Sequence, residues 1–191
     1  MKKTLIVLII IFSCITNINA ETKRIISGKL NAKINIIAYE SLTCSHCANF
    51  HKDVYPQLKK DYIDTGLAKI EFRHFPLDIA AFNAAKIAQC NLDQSLEILK
   101  SLYSNQQAWV KGNTVEEINL NLAKFLENEG FNINFEKCIN SKEIEDFVLN
   151  DRIEGTKKFK VNATPTIIIN NEKFEKSLNY KNLKKSLEKL I

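Results

Sequence analysis

Cys44-Ser45-His46-Cys47 follows an Ile-rich run, residues 34–39, after only Glu40-Ser41-Leu42-Thr43. Phe50, Val54, Leu58 and Tyr62 then recur every fourth residue, the spacing of one helix face. The two cysteines therefore fall where a strand hands over to a helix. The first backbone N–H groups of a helix are unpaired and its dipole is positive there, so a thiolate is stabilised and its pKa falls. A cysteine that exchanges disulfides needs that environment. Thr43 is expected to cap the helix.

The chain has 191 residues, enough for one domain with a sizeable core. Its first twenty read as a removable export signal: Lys2 and Lys3, an apolar stretch at 5–12 too short to span a bilayer, and Ile18-Asn19-Ala20 at the cleavage point. Cleavage is expected after Ala20; a lipid anchor on Cys14 is the lesser alternative. Loss of the two lysines lowers the net charge from +5 to +3. The remaining lysines are scattered among acidic residues, without the clustered basic patch and stacking aromatics of a nucleic-acid groove.

Four cysteines remain, Cys44, Cys47, Cys90 and Cys138. An even number in an exported chain suggests disulfides, and the close spacing of the first two favours 44 with 47 and 90 with 138. The loop closed by Cys90 and Cys138 would contribute about 4 kcal/mol on the chain-entropy estimate. Two unpaired buried thiols are the alternative.

Residues 21–30 read as an irregular lead-in and 33–39 as a strand. A helix follows to about residue 62, kinked by Pro56. Residues 68–75 form a second strand, with Ile70 and Phe72 alternating against charged residues. From 77 to 152 only helical spacing is visible, with breaks at Gly112 and Gly130. Trp109 and the phenylalanines of this block read as core or groove lining. Residues 166–170 are a β-branched strand. Asn170-Asn171 suits a tight turn back through Lys173-Phe174, and Leu183, Leu187, Leu190 and Ile191 mark a last helix. The class is α/β: 21–76 and 153–191 form one domain, and 77–152 is an inserted helical subdomain.

A CxxC can also be half of a zinc site, with His46 and His51 nearby, but no second paired motif stands at suitable spacing. His51 by itself reads as a helix-surface residue and His74 as structural. No phosphate loop, Ser-His-Asp order or paired-carboxylate signature stands out, and no dissociable cofactor or metal is implied.

Ala163-Thr164-Pro165-Thr166 opens the third strand. Together with the dithiol on a helix and the long helical insertion, it resembles the thioredoxin fold. The stretch from Tyr39 through Cys44-Ser45-His46-Cys47 to His51 is similar to the bacterial DsbA-like thiol–disulfide oxidoreductases. The resemblance implies Cys44 as nucleophile and Cys47 as resolving thiol; His46, lying between them, is placed to stabilise the Cys44 thiolate further through its imidazole. It also implies a cis peptide at Thr164-Pro165, with the Thr164 backbone pairing with substrate. Substrates would be unfolded or mispaired cysteine-containing exported proteins, and a membrane partner would reoxidise the dithiol.

The chain departs from that pattern. Many members carry a buried acid six residues before the first cysteine, where Ala38 stands. Glu40 is expected on the opposite strand face, as a solvated strand-end charge, with reach to the site from its edge as the alternative. Ser45 and Thr164 replace the proline and valine of the best-known members, which leaves isomerase or reductase open beside oxidase. About a dozen residues precede the first strand once the signal is removed, too few for the dimerisation domain of dimeric isomerases, so a periplasmic monomer is expected. A non-catalytic zinc or binding protein on the same scaffold is the reading from another class.

Overall fold

A computed structural model describes residues 23–191. The export signal, its cleavage after Ala20, and Cys14 lie outside the described residues. Five strands form one sheet in the order β1-β3-β2-β4-β5, where β1 is Ile25–Ser27, β2 Ile34–Glu40, β3 Ala68–His74, β4 Thr166–Ile169 and β5 Glu172–Lys173. β2 and β3 run parallel; the other pairs are antiparallel. This is the expected thioredoxin fold.

β2 sits centrally and is covered on both faces. Ile34, Ile36 and Ala38 enter the main core with Ile70 and Phe72 of β3. Ile37 and Tyr39 enter a second, smaller core with Phe75, Phe159, Val161 and Ile168. A strand buried on two sides needs apolar residues at consecutive positions, which is why its alternation is incomplete.

Between β2 and β3 the expected helix forms in four segments. These are α1 (Ser45–Asn49), a π-helical turn (Phe50–Val54), α2 (Tyr55–Leu58) and a second π-helical turn (Lys59–Ile63). Pro56 lies in the first turn of α2, immediately after the wider turn, where its missing N–H disrupts least.

The helical block comprises α3 (Ile79–Cys90), α4 (Ser95–Ser104), α5 (Gln106–Trp109), α6 (Val115–Asn128), α7 (Phe135–Ile139) and α8 (Lys142–Phe159). Gly112 and Gly130 take positive φ between helices. Trp109 is fully buried and its indole N–H donates to the Leu102 carbonyl at 2.9 Å. A disulfide joins Cys90 on α3 to Cys138 on α7, with their Cα atoms 5.6 Å apart. α8 runs across residues 152 and 153 and reaches the second core. There Gly155 lies so close to Tyr39 that a Cβ would stand 2.7 Å from its ring.

Two details differ from the sequence expectation. The lead-in holds β1, which pairs with β3 through Ile25 opposite Phe72. Three residues are too few to show a period, and β1 is held from outside: Arg24 pairs with Asp151 of α8 and with Glu71. The last helix, α9, spans Tyr180–Leu187 and buries Leu183 and Leu187, whereas Leu190 and Ile191 lie beyond it, exposed. Asn170 and Asn171 both take positive φ in the β4–β5 turn, the conformation two-residue hairpin loops favour.

Candidate redox site

β2 delivers the chain to α1, whose first residue outside helical geometry is Cys44 itself (φ −77°, ψ 118°). Cys44 is half-buried and Cys47, one turn on, is fully buried; both are free thiols. Four groups face the Cys44 sulfur. The Cys47 thiol donates to it, the Thr164 side chain adjoins it, and the backbone N–H groups of Cys47 and His46 point at it; the Cys47 thiol contributes most. They outweigh partial burial and hold the Cys44 pKa down to about 5. As a thiol, Cys44 Sγ donates to the Thr164 carbonyl at 3.3 Å. The Thr164 hydroxyl is buried without a partner in that arrangement. It can turn to the sulfur once Cys44 ionises, because a thiolate accepts and no longer donates. The Thr164-Pro165 peptide bond is cis.

Cys47 is the opposite case. Burial foremost, then the hydrogen bond to Cys44 and the charge of Glu40, push its thiol far above the usual cysteine range. The site therefore holds one readily ionised sulfur over one that keeps its proton.

His46 is exposed, and among the described residues its imidazole makes no hydrogen bond or ring contact. Its link to the dithiol is its backbone N–H. Thr43 does not cap α1. Its hydroxyl donates to Asp78 Oδ2 at 2.6 Å, and Asp78 Oδ1 accepts from the Ala81 N–H to cap α3. Ser41 Oγ accepts from the Leu77 N–H at 3.2 Å. The loop before the dithiol is thus stitched to the start of the helical block.

The expected positions of Glu40 and His51 are overturned. Side chains two residues apart in a strand share a face, so Glu40 lies on the Ala38 side and is buried, 4% exposed. Its Oε2 is 2.8 Å from His51 Nε2. His51 is enclosed rather than on the helix surface: its ring stacks on Tyr103 (centroids 4.2 Å, 18°) and packs against Phe50, Tyr55 and Phe72. The four-residue spacing of the buried face had left position 51 outside. The π-helical turn that begins at Phe50 alters which side chains face the core. His74 is buried, with Nε2 3.3 Å from Gln89 Oε1, and burial lowers its pKa to about 4. Gln106, which no motif marked, donates from Nε2 to the carbonyl oxygens of Leu42 (2.7 Å) and Cys44 (3.1 Å). Among the described residues, no three His, Cys, Asp or Glu side chains cluster so as to hold a metal ion.

A dithiol of this asymmetry at the N-terminus of the helix after a central strand, facing a Thr-Pro turn, defines a class. A family model described as Thioredoxin matches residues 20–189, and the chain belongs to that family. Within it, the chain is DsbA-like. It is similar to alpha-DsbA1 of Wolbachia pipientis at 30% identity and a TM-score of 0.78, over 88% of this chain and 90% of that one. Disulfide bond formation protein D of Bacillus subtilis is 24% identical over 172 residues, 85% of this chain and 74% of that protein. A Rickettsia prowazekii protein named as a protein-disulfide oxidoreductase is 24% identical over 168 residues, 86% of this chain and 60% of that protein. The chain spans about half to three fifths of the length of the first curated relatives it matches.

Proposed function

We propose that the chain is an exported thiol–disulfide oxidoreductase that passes the disulfide between Cys44 and Cys47 to cysteines of folding secreted proteins. The observation that carries this reading is the split between the two sulfurs: Cys44 half-buried with a pKa of about 5, Cys47 enclosed and held protonated.

A substrate thiolate attacks Cys44 Sγ, the bond between Cys44 and Cys47 breaks, and Cys47 leaves with the electron pair and takes a proton. A second substrate thiolate attacks the substrate sulfur of the mixed disulfide. Cys44 departs as a thiolate, and the substrate keeps the new disulfide. The second step is favoured by a good leaving group at Cys44. Stabilising that thiolate stabilises the reduced protein and makes the oxidised protein the stronger oxidant, which supports the oxidase direction over isomerase or reductase. Glu40, buried and electrostatically coupled to Cys47, takes the place of the acid absent at Ala38 as the group that exchanges a proton with Cys47. The Thr164 carbonyl lies 3.3 Å from the Cys44 sulfur, and the Thr164 backbone, with Pro165 beside it, receives the substrate chain.

Substrates in this reading are unfolded or mispaired cysteine-containing proteins outside the cytoplasm. The chain acts as a periplasmic monomer after cleavage at Ala20, and a membrane protein reoxidises its dithiol. The test is the equilibrium of the dithiol with glutathione. A potential far above thioredoxin's, lost in Cys44→Ser, is expected. A potential as reducing as thioredoxin's overturns the oxidase direction, and disulfide exchange that survives Cys44→Ser overturns the mechanism.

A further inference from the structure

The two oxygens of the Glu40 carboxylate are in different situations. Oε2 is held at 2.8 Å by His51 Nε2, whereas Oε1 is buried with no hydrogen-bond partner. A buried polar atom without a partner is unfavourable and calls for a role. His51 itself has little freedom. It lies between the Tyr103 ring on one face and Phe72, Phe50 and Tyr55 around it, and its side chain is 8% exposed.

We propose that His51 is a positioning residue for thiol–disulfide exchange: it fixes the Glu40 carboxylate by one oxygen and leaves the other free to take the proton of Cys47. This rests on the oxidoreductase reading above. In the closing step, Cys47 gives its proton to Glu40 and its sulfur attacks Cys44 Sγ. The bond between Cys44 and Cys47 forms, and the partner sulfur leaves as a thiolate with the electron pair. In substrate oxidation the proton returns to Cys47 as that bond breaks.

The titratable groups around the pair are few. α1 contributes Cys44 and Cys47. α2 contributes Tyr55, and α4 contributes Tyr103, whose phenol is kept neutral by burial, by the Glu40 charge and by its approach to the Glu40 carboxylate, although no bond of hydrogen-bond geometry joins it to Oε1. β3 contributes Phe72, which does not titrate, and His74, the register partner of Glu40, neutral down to about pH 4. No lysine or arginine side chain hydrogen-bonds or pairs with Glu40 among the described residues. His51 therefore carries the task that a cation would otherwise perform.

The experiment mixes the reduced full chain with glutathione disulfide and follows two steps across pH. The first is capture of glutathione by Cys44; the second is release of glutathione by Cys47. In His51→Phe, which keeps an aromatic ring but no donor, capture is expected to be unchanged. Release should slow by roughly a hundredfold near neutral pH. Its dependence on pH should also depart from the native profile, because the Glu40 carboxylate loses its donor. His51→Gln, which restores a donor, should recover most of the rate, and Glu40→Gln should slow release at every pH. Release by both His51 variants with the native rate and pH profile overturns the proposal while leaving the function intact. Absence of the capture step in the native protein overturns the function itself.

Discussion

Gln106 Nε2 lies 3.1 Å from the carbonyl oxygen of Cys44, and the same amide nitrogen donates to the Leu42 carbonyl at 2.7 Å. A side chain of the helical block thereby spans the backbone on both sides of Thr43 and fixes the approach to the dithiol. The hydrogen bonds that lower the Cys44 pKa come from Cys47, Thr164 and the backbone of α1. Their geometry depends on where that loop is held. Gln106→Leu should therefore raise the Cys44 pKa, read from thiolate absorbance. It should also lower stability by about 1–3 kcal/mol for the carbonyls left unpaired, read from denaturant unfolding. A variant with the native titration curve would show that the clamp holds the fold without tuning the sulfur.

Cys44 in the reduced chain should titrate with a midpoint near 5. Its folded pKa lies below its unfolded value, so ionisation stabilises the reduced folded form. That contribution is complete above the unfolded cysteine pKa and is lost as the pH falls through about 5. Unfolding of the reduced and oxidised proteins compared across pH reads this directly: the reduced form should gain on the oxidised form as the pH rises. A pH-independent difference would place the thiolate outside the folded site.

His74 gives a second pH dependence on a different part of the sheet. Its pKa is lowered from the usual 6.5 to about 4 by burial. Below pH 6.5 the unfolded chain takes up a proton that the folded chain refuses until about pH 4. Stability should fall by about 3 kcal/mol across that window. His74→Gln removes the titration, so the fall should be shallower in that variant. Equal slopes in the two proteins would assign the acid sensitivity elsewhere.

At Gly155 the helix packs against the Tyr39 ring with no space for a methyl group. Gly155→Ala places a Cβ 2.7 Å from Tyr39 Cε1, and either α8 or the ring must shift. Overpacking of this kind is destabilising by about 1–3 kcal/mol, although alanine is the better helix former by about 1 kcal/mol. A net loss in thermal stability is expected. A gain would mean that α8 moves freely over the second core.

The order of elements was legible because it rests on local chemistry. An apolar run, a helical period behind Cys44 and a β-branched run after Pro165 each speak for themselves. What escaped depends on groups far apart in sequence. β1 is three residues held by a salt bridge to α8. Gln106 looks like an ordinary polar helix residue until the loop at Leu42 lies beneath it. Glu40 could have been placed correctly, since its two-residue separation from Ala38 already puts both on one face. His51 could not, because a π-helical turn changes the period on which helix-face assignments depend.

Trp109 is the sole tryptophan of the chain. It lies three residues beyond Gln106, fully enclosed by the helical block. The molecule thus carries one intrinsic fluorophore, located where the block reaches the catalytic loop. Its emission reports the melting of that block, while the rate of thiol capture at Cys44 reports the integrity of the dithiol. If the two signals vanish together on denaturation, insertion and sheet unfold as one cooperative unit. If the fluorescence changes first, the block is an independently opening lobe.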